Sequence, residues 1–308
     1  MNRINNKVLI IIIVVLAGIY LGKKFIGKNT ERNFKEELVA IDTASVDKIV
    51  IKPKISPDEL IFEKSDDRWR LKSGELSDDA DQGMVKGMLN NMLSMKPERL
   101  VGVSSEKWQQ YEVNDSLGIE VKAFSGDKLL TDFIVGKFNF HQATRAMSTF
   151  VRLKGEEEVY SVEGFLSSNF NQQFNGFRDK TFLKLKKDEI ESIEFSYPGD
   201  SSFVLIKNQN EWKIGEMETD SVSTASYLAG LQNITKREFV DDFDSNSTPI
   251  YTMTIRLRDI DPINISCFVK DDENYILHSS MNEDAYFDSG NFDLFNKLLI
   301  SQLELIEQ

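Results

Sequence analysis

Asp67-Arg-Trp69-Arg-Leu71 and Asn210-Glu-Trp212-Lys-Ile214 are two versions of one five-residue pattern, set about 140 residues apart. In each, the tryptophan and the aliphatic residue two places later point to one face, and the charges between them point to the other. That alternation is the period of a half-buried β-strand. The sequence repeats outward from both copies. Upstream, Val46-Asp-Lys-Ile-Val-Ile51 resembles Ile190-Glu-Ser-Ile-Glu-Phe195. A turn follows each (residues 53–58, or Tyr197-Pro-Gly-Asp200), and then a second strand, Leu60-Ile-Phe62 or Phe203-Val-Leu-Ile206.

Downstream of the tryptophans a helix is predicted in both copies. Leu89, Met92, Met95, Leu100 and Val101 align without a gap on Leu228, Leu231, Ile234, Phe239 and Val240. The first three of each set lie three apart on one helical stripe. A looser match follows. Residues 119–124 and 129–135 correspond to 252–257 and 263–269. Two further strands lie around 150–153 and 159–160, or 275–277 and 285–287. A closing apolar helix is expected near 165–174 and 292–305.

Strands, then a helix, then antiparallel strands and a helix predict an α+β fold. The expected architecture is an N-terminal transmembrane helix followed by two tandem repeats of antiparallel sheet plus helices. The first unit is residues 43–178 and the second 179–308. They meet at a polar joint, residues 175–183, containing Gly176 and Arg178-Asp-Lys180. Residues 29–42, mostly polar with Ile41 near their end, read as a stalk.

Composition agrees with two folded units. The chain has 308 residues, 41% hydrophobic and 28% charged, against a usual domain size of roughly 100–200 residues. The net charge is −13, and residues 1–28 hold five cations and no acid. The body therefore sets 32 basic against 50 acidic groups, about −18. Such a body is repelled by phosphate backbones, which argues against a nucleic-acid partner.

Residues 8–22, VLIIIIVVLAGIYLG, carry no charge. Their valines, isoleucines and leucines contribute roughly −3 to −6 kcal/mol of insertion free energy. The run extends to Ile26 if Lys23 and Lys24 snorkel. Neither Gly22 with Tyr20 nor Gly27 with Phe25 makes the small-residue pair a signal peptidase needs, and no cysteine follows the run, which excludes lipoprotein processing. The expectation is an uncleaved anchor, spanning about 8–26 within residues 1–28, in a bacterial inner membrane. Counted literally, the flanking cations favour a cytoplasmic body. Long hydrophilic domains cross regardless of charge, and the body is placed on the extracytoplasmic, periplasmic side.

With the anchor, an ordered series of short motifs resembles the domain-of-unknown-function 4340 family. These are Trp69-Arg-Leu71, Ala80-Asp-Gln82, Glu98-Arg-Leu-Val101, Val135-Gly-Lys137 and Phe177-Arg-Asp-Lys-Thr-Phe-Leu183. The resemblance covers most of residues 40–240, and the stretch after about 245 matches less well. It implies a bacterial envelope protein, often encoded beside ABC-type transporter components related to gliding-motility systems. It brings no catalytic residues to carry over.

The residues themselves define no active site, and no catalytic, cofactor-binding or metal-ligating residue and no cofactor is assigned. Gly22-Lys-Lys-Phe-Ile-Gly27-Lys28-Asn29 nearly spells a phosphate-binding loop but lacks its Ser/Thr and follows an apolar run instead of a strand. His141 and His278 are not in a metal-spaced pair. Asp242-Phe-Asp244-Ser-Asn246 opens like a calcium loop, but Ser247 and Met253 stand where Gly and Glu are required. Residues 156–158 and 271–273 read as charged hairpin turns. Cys267, the single cysteine, reads as a small buried hydrophobe. Trp69 and Trp212 read as equivalent core residues, with ligand platforms as the alternative.

The leading functional expectation is a non-enzymatic, membrane-anchored accessory protein with protein partners in a transporter-like envelope complex. The alternative is a polysaccharide- or peptide-binding module with a cleft between the two repeats. A hydrolase with an unrecognised carboxylate pair is third.

Overall fold

Alternating burial folds the chain into two large antiparallel sheets. The computed structural model describes residues 35–306 apart from 210, 272, 273, 291 and 292. In the first half, β1 (Lys48–Lys52), β2 (Leu60–Ser65), β3 (Arg68–Ser73) and β4 (Leu76–Asp79) form successive hairpins. Helix α1 (Gln82–Leu93) leads to β5 (Pro97–Gly102) and the short α2 (Trp108–Tyr111). Strands β6 (Ile119–Ser125), β7 (Lys128–His141), β8 (Ala146–Leu153) and β9 (Val159–Glu163) follow, closed by α3 (Ser167–Phe170) and α4 (Phe174–Phe177). The sheet order is β4-β3-β2-β1-β6-β7-β8-β9-β5.

The second half begins with β10 (Thr181–Lys184), β11 (Ile190–Ser196), β12 (Phe203–Asn208), β13 (Glu211–Ile214) and β14 (Met217–Glu218). Then come α5 (Ser221–Gly230), β15 (Asn233–Thr235), β16 (Tyr251–Leu257), β17 (Ile260–Val269), β18 (Tyr275–Ser279) and β19 (Tyr286–Asp288). Helices α6 (Asp293–Leu298) and α7 (Leu303–Ile306) close it. The order here is β14-β13-β12-β11-β16-β17-β18-β19, and β10 pairs with β15 separately. These eight strands are connected as are the first eight of the other sheet, and the bridge Phe239↔Phe287 lies where β5 meets β9.

Local chemistry sets these elements. Asp66 and Asp67 both take positive φ, 48° and 65°, in the two-residue turn between β2 and β3; aspartate tolerates that conformation better than most residues. The main helices start alike. Asp81 accepts from Met84 N at 3.0 Å, and Asp220 from Ser223 N at 2.7 Å, N-caps of about 1 kcal/mol each. Gly136 sits where the β7–β8 register shifts. A Cβ there would fall 2.3 Å from Tyr111 O and 2.6 Å from Val113 Cγ1, so only glycine lets β7 pass under this segment.

Each sheet closes over its own core. The first contains Trp69, Met88, Met92, Phe133, Phe170 and Phe177; the second contains Phe182, Phe195, Leu228, Cys267, Phe287 and Leu298. In the segment read as a stalk, Leu38 and Val39 are buried in the first core, and Leu38 N donates to Met95 O at 3.2 Å.

The α+β expectation with a membrane helix needs correction: the structure is mostly antiparallel sheet. Apolar stretches expected to form continuous closing helices are broken into single turns, α3 with α4 and α6 with α7. Leu166, Phe170, Phe174 and Phe177 enter the core from successive turns, and Leu299 and Ile300 are buried between α6 and α7. The N-terminal transmembrane helix is not supported. Among the described residues no helix is long and apolar enough to cross a membrane. Residues 8–26, with the phosphate-loop-like 22–29, lie outside the described residues. The uncharged run of fifteen residues also falls short of the roughly 20 that a spanning helix needs.

Candidate functional site

The most constrained chemistry lies at the seam between the sheets, where family-like motifs from distant parts of the chain meet. Ala80 bridges Arg178 in antiparallel fashion, Asp81 N donates to Phe177 O at 2.8 Å, and Asp179 N to Asp79 O at 2.8 Å. Gln82 ties this segment to the first tryptophan strand. Its Oε1 accepts from Trp69 N at 2.9 Å, and its Nε2 donates to Trp69 O at 3.0 Å and Ala80 O at 2.7 Å.

Arg178 is 3% exposed and Asp78 1%. The Arg178 guanidinium donates through Nε to Asp78 Oδ2 at 2.6 Å and through Nη1 to Asn175 Oδ1 at 3.1 Å and Asp241 Oδ1 at 2.5 Å. Its carbon lies 3.7 Å from the Phe239 ring centroid. One buried cation thus gathers a carboxylate from each half and stacks on an aromatic of the second, a bidentate and stacked role suited to arginine. Burial pushes the Asp78 carboxyl above its usual range, against the opposing pull of Arg178. Arg70 pairs with Asp284 across the seam, and Asn282 Nδ2 donates to Asp179 O at 3.0 Å. A groove of about 780 Å³ runs past Leu76, Phe239, Asp242 and Lys270, but Arg178 already covers the Phe239 ring.

A second buried arginine, Arg152, is 2% exposed. It donates from Nε to Val113 O at 2.9 Å and from Nη1 to Glu156 O at 3.3 Å, and lies 3.7 Å from the Trp108 ring centroid. It fastens the α2 segment to the outer face of the first sheet.

The residues weighed from sequence are dispersed. His141 lies 2.8 Å from the Asn139 amide on the surface. His278 Nε2 donates to Glu283 O at 2.9 Å and its ring stacks on Tyr286. Asp244 Oδ1 accepts from Asn246 N and Nδ2, both at 3.0 Å, in an exposed turn. Cys267 is fully buried, and burial pushes its thiol up to about 12. Among the described residues no group of three His, Cys, Asp or Glu could hold a metal ion. The tryptophans differ. Trp69 is 7% exposed, whereas Trp212 is half-buried beside a groove of about 580 Å³. A larger, more apolar groove of about 830 Å³ is lined by Leu185, Leu257, Ile260 and Met281.

One surface feature is apolar and projecting. The outer half of the β7–β8 hairpin pairs Phe140 with Met147, 50% and 47% exposed. Phe165, 46% exposed, packs on Phe138 with ring centroids 4.6 Å apart.

A family model described as a domain of unknown function (DUF4340) matches residues 69–252, more than half of the chain. The match opens at Trp69 and takes in α1, Gly136, the Asp78–Arg178–Asp241 cluster and Trp212. No curated protein and no solved structure matches the chain.

Proposed function

The chain belongs to the DUF4340 family, and from that premise we propose that it is a non-enzymatic accessory protein of the bacterial envelope that docks on a protein partner. The observation that supports this most is the hairpin patch of exposed Phe140, Met147 and Phe165 with half-buried Phe138. Aromatic residues and methionine are enriched at the centres of protein interfaces. The clamped seam supports the same reading, since a surface held on a rigid frame binds with less ordering cost. The partner expected from the resemblance is a component of an ABC-transporter-like complex, met on the extracytoplasmic side.

The test is a photo-crosslinking residue at position 140 in the full chain, expressed in its native host. Cross-linking to a transporter permease or its associated subunits, lost when Met147 is replaced by aspartate, is the expected result. Recovery of the chain without any cross-linked partner overturns the proposal.

A further inference from the structure

Trp69 and Trp212 hold the same place in their sheets, but only one is sealed. Each carbonyl accepts from the residue before a helix cap: Ala80 N to Trp69 O and Thr219 N to Trp212 O, both at 3.0 Å. The next residues, Asp81 and Asp220, are the caps themselves. The first helical residue then differs. In the first half it is Gln82, whose amide grips both backbone groups of Trp69. In the second it is Ser221, too short to do so; the Thr219 hydroxyl holds the Trp212 carbonyl at 3.1 Å, and a groove of about 580 Å³ lies there, lined by Trp212 with Lys207, Asp188 and Ser221.

We propose that this groove binds a neutral saccharide, with the Trp212 ring as the platform for a sugar face and Asp188, Lys207 and Ser221 hydrogen-bonding its hydroxyls. Its volume lies within the usual range for small-molecule sites. An indole offers an apolar face to the C–H side of a pyranose while polar groups at its rim meet the hydroxyls. Charge favours a neutral ligand. Glu211 and Glu218 are drawn to Lys213, and Asp220 is engaged as a helix cap. What remains at the rim carries both signs. A cationic ligand would compete with Lys207, whose Nζ already lies 6.0 Å from the Trp212 ring centroid. This inference does not depend on the docking role proposed above.

The test uses the full chain in calorimetric titrations with chitopentaose, maltohexaose and, as a cationic control, lysine ethyl ester. At least one oligosaccharide is expected to bind. Trp212→Ala and Ser221→Gln should each weaken it by at least about tenfold. Ser221→Gln recreates the Gln82 arrangement at an exposed position, so it closes the groove without touching the core. Binding of neither oligosaccharide, binding that both variants leave intact, or binding of the amine alone overturns the proposal.

Discussion

Arg178 and Asp78, one hundred residues apart in the chain, meet at the edge of the seam with Arg178 Nε 2.6 Å from Asp78 Oδ2. Removing one member of a buried pair leaves an uncompensated charge, which costs about 3–5 kcal/mol. Arg178→Ala should lower stability by that order in urea denaturation. Arg178→Lys should recover little, because an ammonium cannot span Asp78 and Asp241 while lying flat on Phe239.

Gly136→Ala tests the close passage of β7 beneath the α2 segment. The added Cβ meets a backbone carbonyl at 2.3 Å, which cannot swing aside as a flexible side chain would. Overpacking of this kind costs roughly 1–3 kcal/mol. Thermal melts should show the loss, and hydrogen exchange should show the weakened protection concentrated at residues 108–113.

Cys267 gives a pH signature. The folded protein holds its thiol proton up to about 12, whereas the unfolded chain releases it near 8.5. The raised native value means that stability is full below the unfolded value and is lost as pH rises through this window. The slope is about 1.4 kcal/mol per unit. Urea midpoints from pH 8.5 to 10.5 should fall more steeply for the wild type than for Cys267→Ala. In the native state near neutral pH the thiol should resist iodoacetamide.

Leu38 is 6% exposed and packs in the first core. Leu38→Ala should cost about 2–5 kcal/mol, as for other buried leucines. Lys35→Ala, which breaks only the half-exposed pair with Glu156, should change stability by less than about 1 kcal/mol. Paired denaturation curves separate the two.

Features with a local period were legible from the sequence. Trp69 and Leu71 alternate as a strand reading requires, and they lie on β3 with burial to match. Met92 turns inward on α1 and Leu228 on α5 as the helical stripe requires, but Leu89 is only partly buried, Met95 and Leu231 lie just past the helix ends, and Ile234 is on β15. What depends on distant chain was not legible. Arg178-Asp-Lys180 looks like a solvated joint until Asp78 and Asp241 arrive from elsewhere to bury it. Arg152 alternates with Val151 and Leu153 as an outward residue should, and nothing nearby announces that α2 and Trp108 cover that face. The apolar runs near the end of each half carry helical spacing, yet the core draws them in turn by turn. The Trp212 groove was hidden for another reason: it lies where Ser221 stands in the place of Gln82, a small difference that a search for similarity passes over.

The Asp78–Arg178–Asp241 contact also limits how this gene can be handled or reshuffled. A fragment ending at residue 178 would keep a buried guanidinium with only one of its two carboxylates and without the Phe239 ring on which it stacks. The complementary fragment would begin with Asp241 and Phe239 stripped of their cation. Neither half is a spare part that recombination could export to another protein.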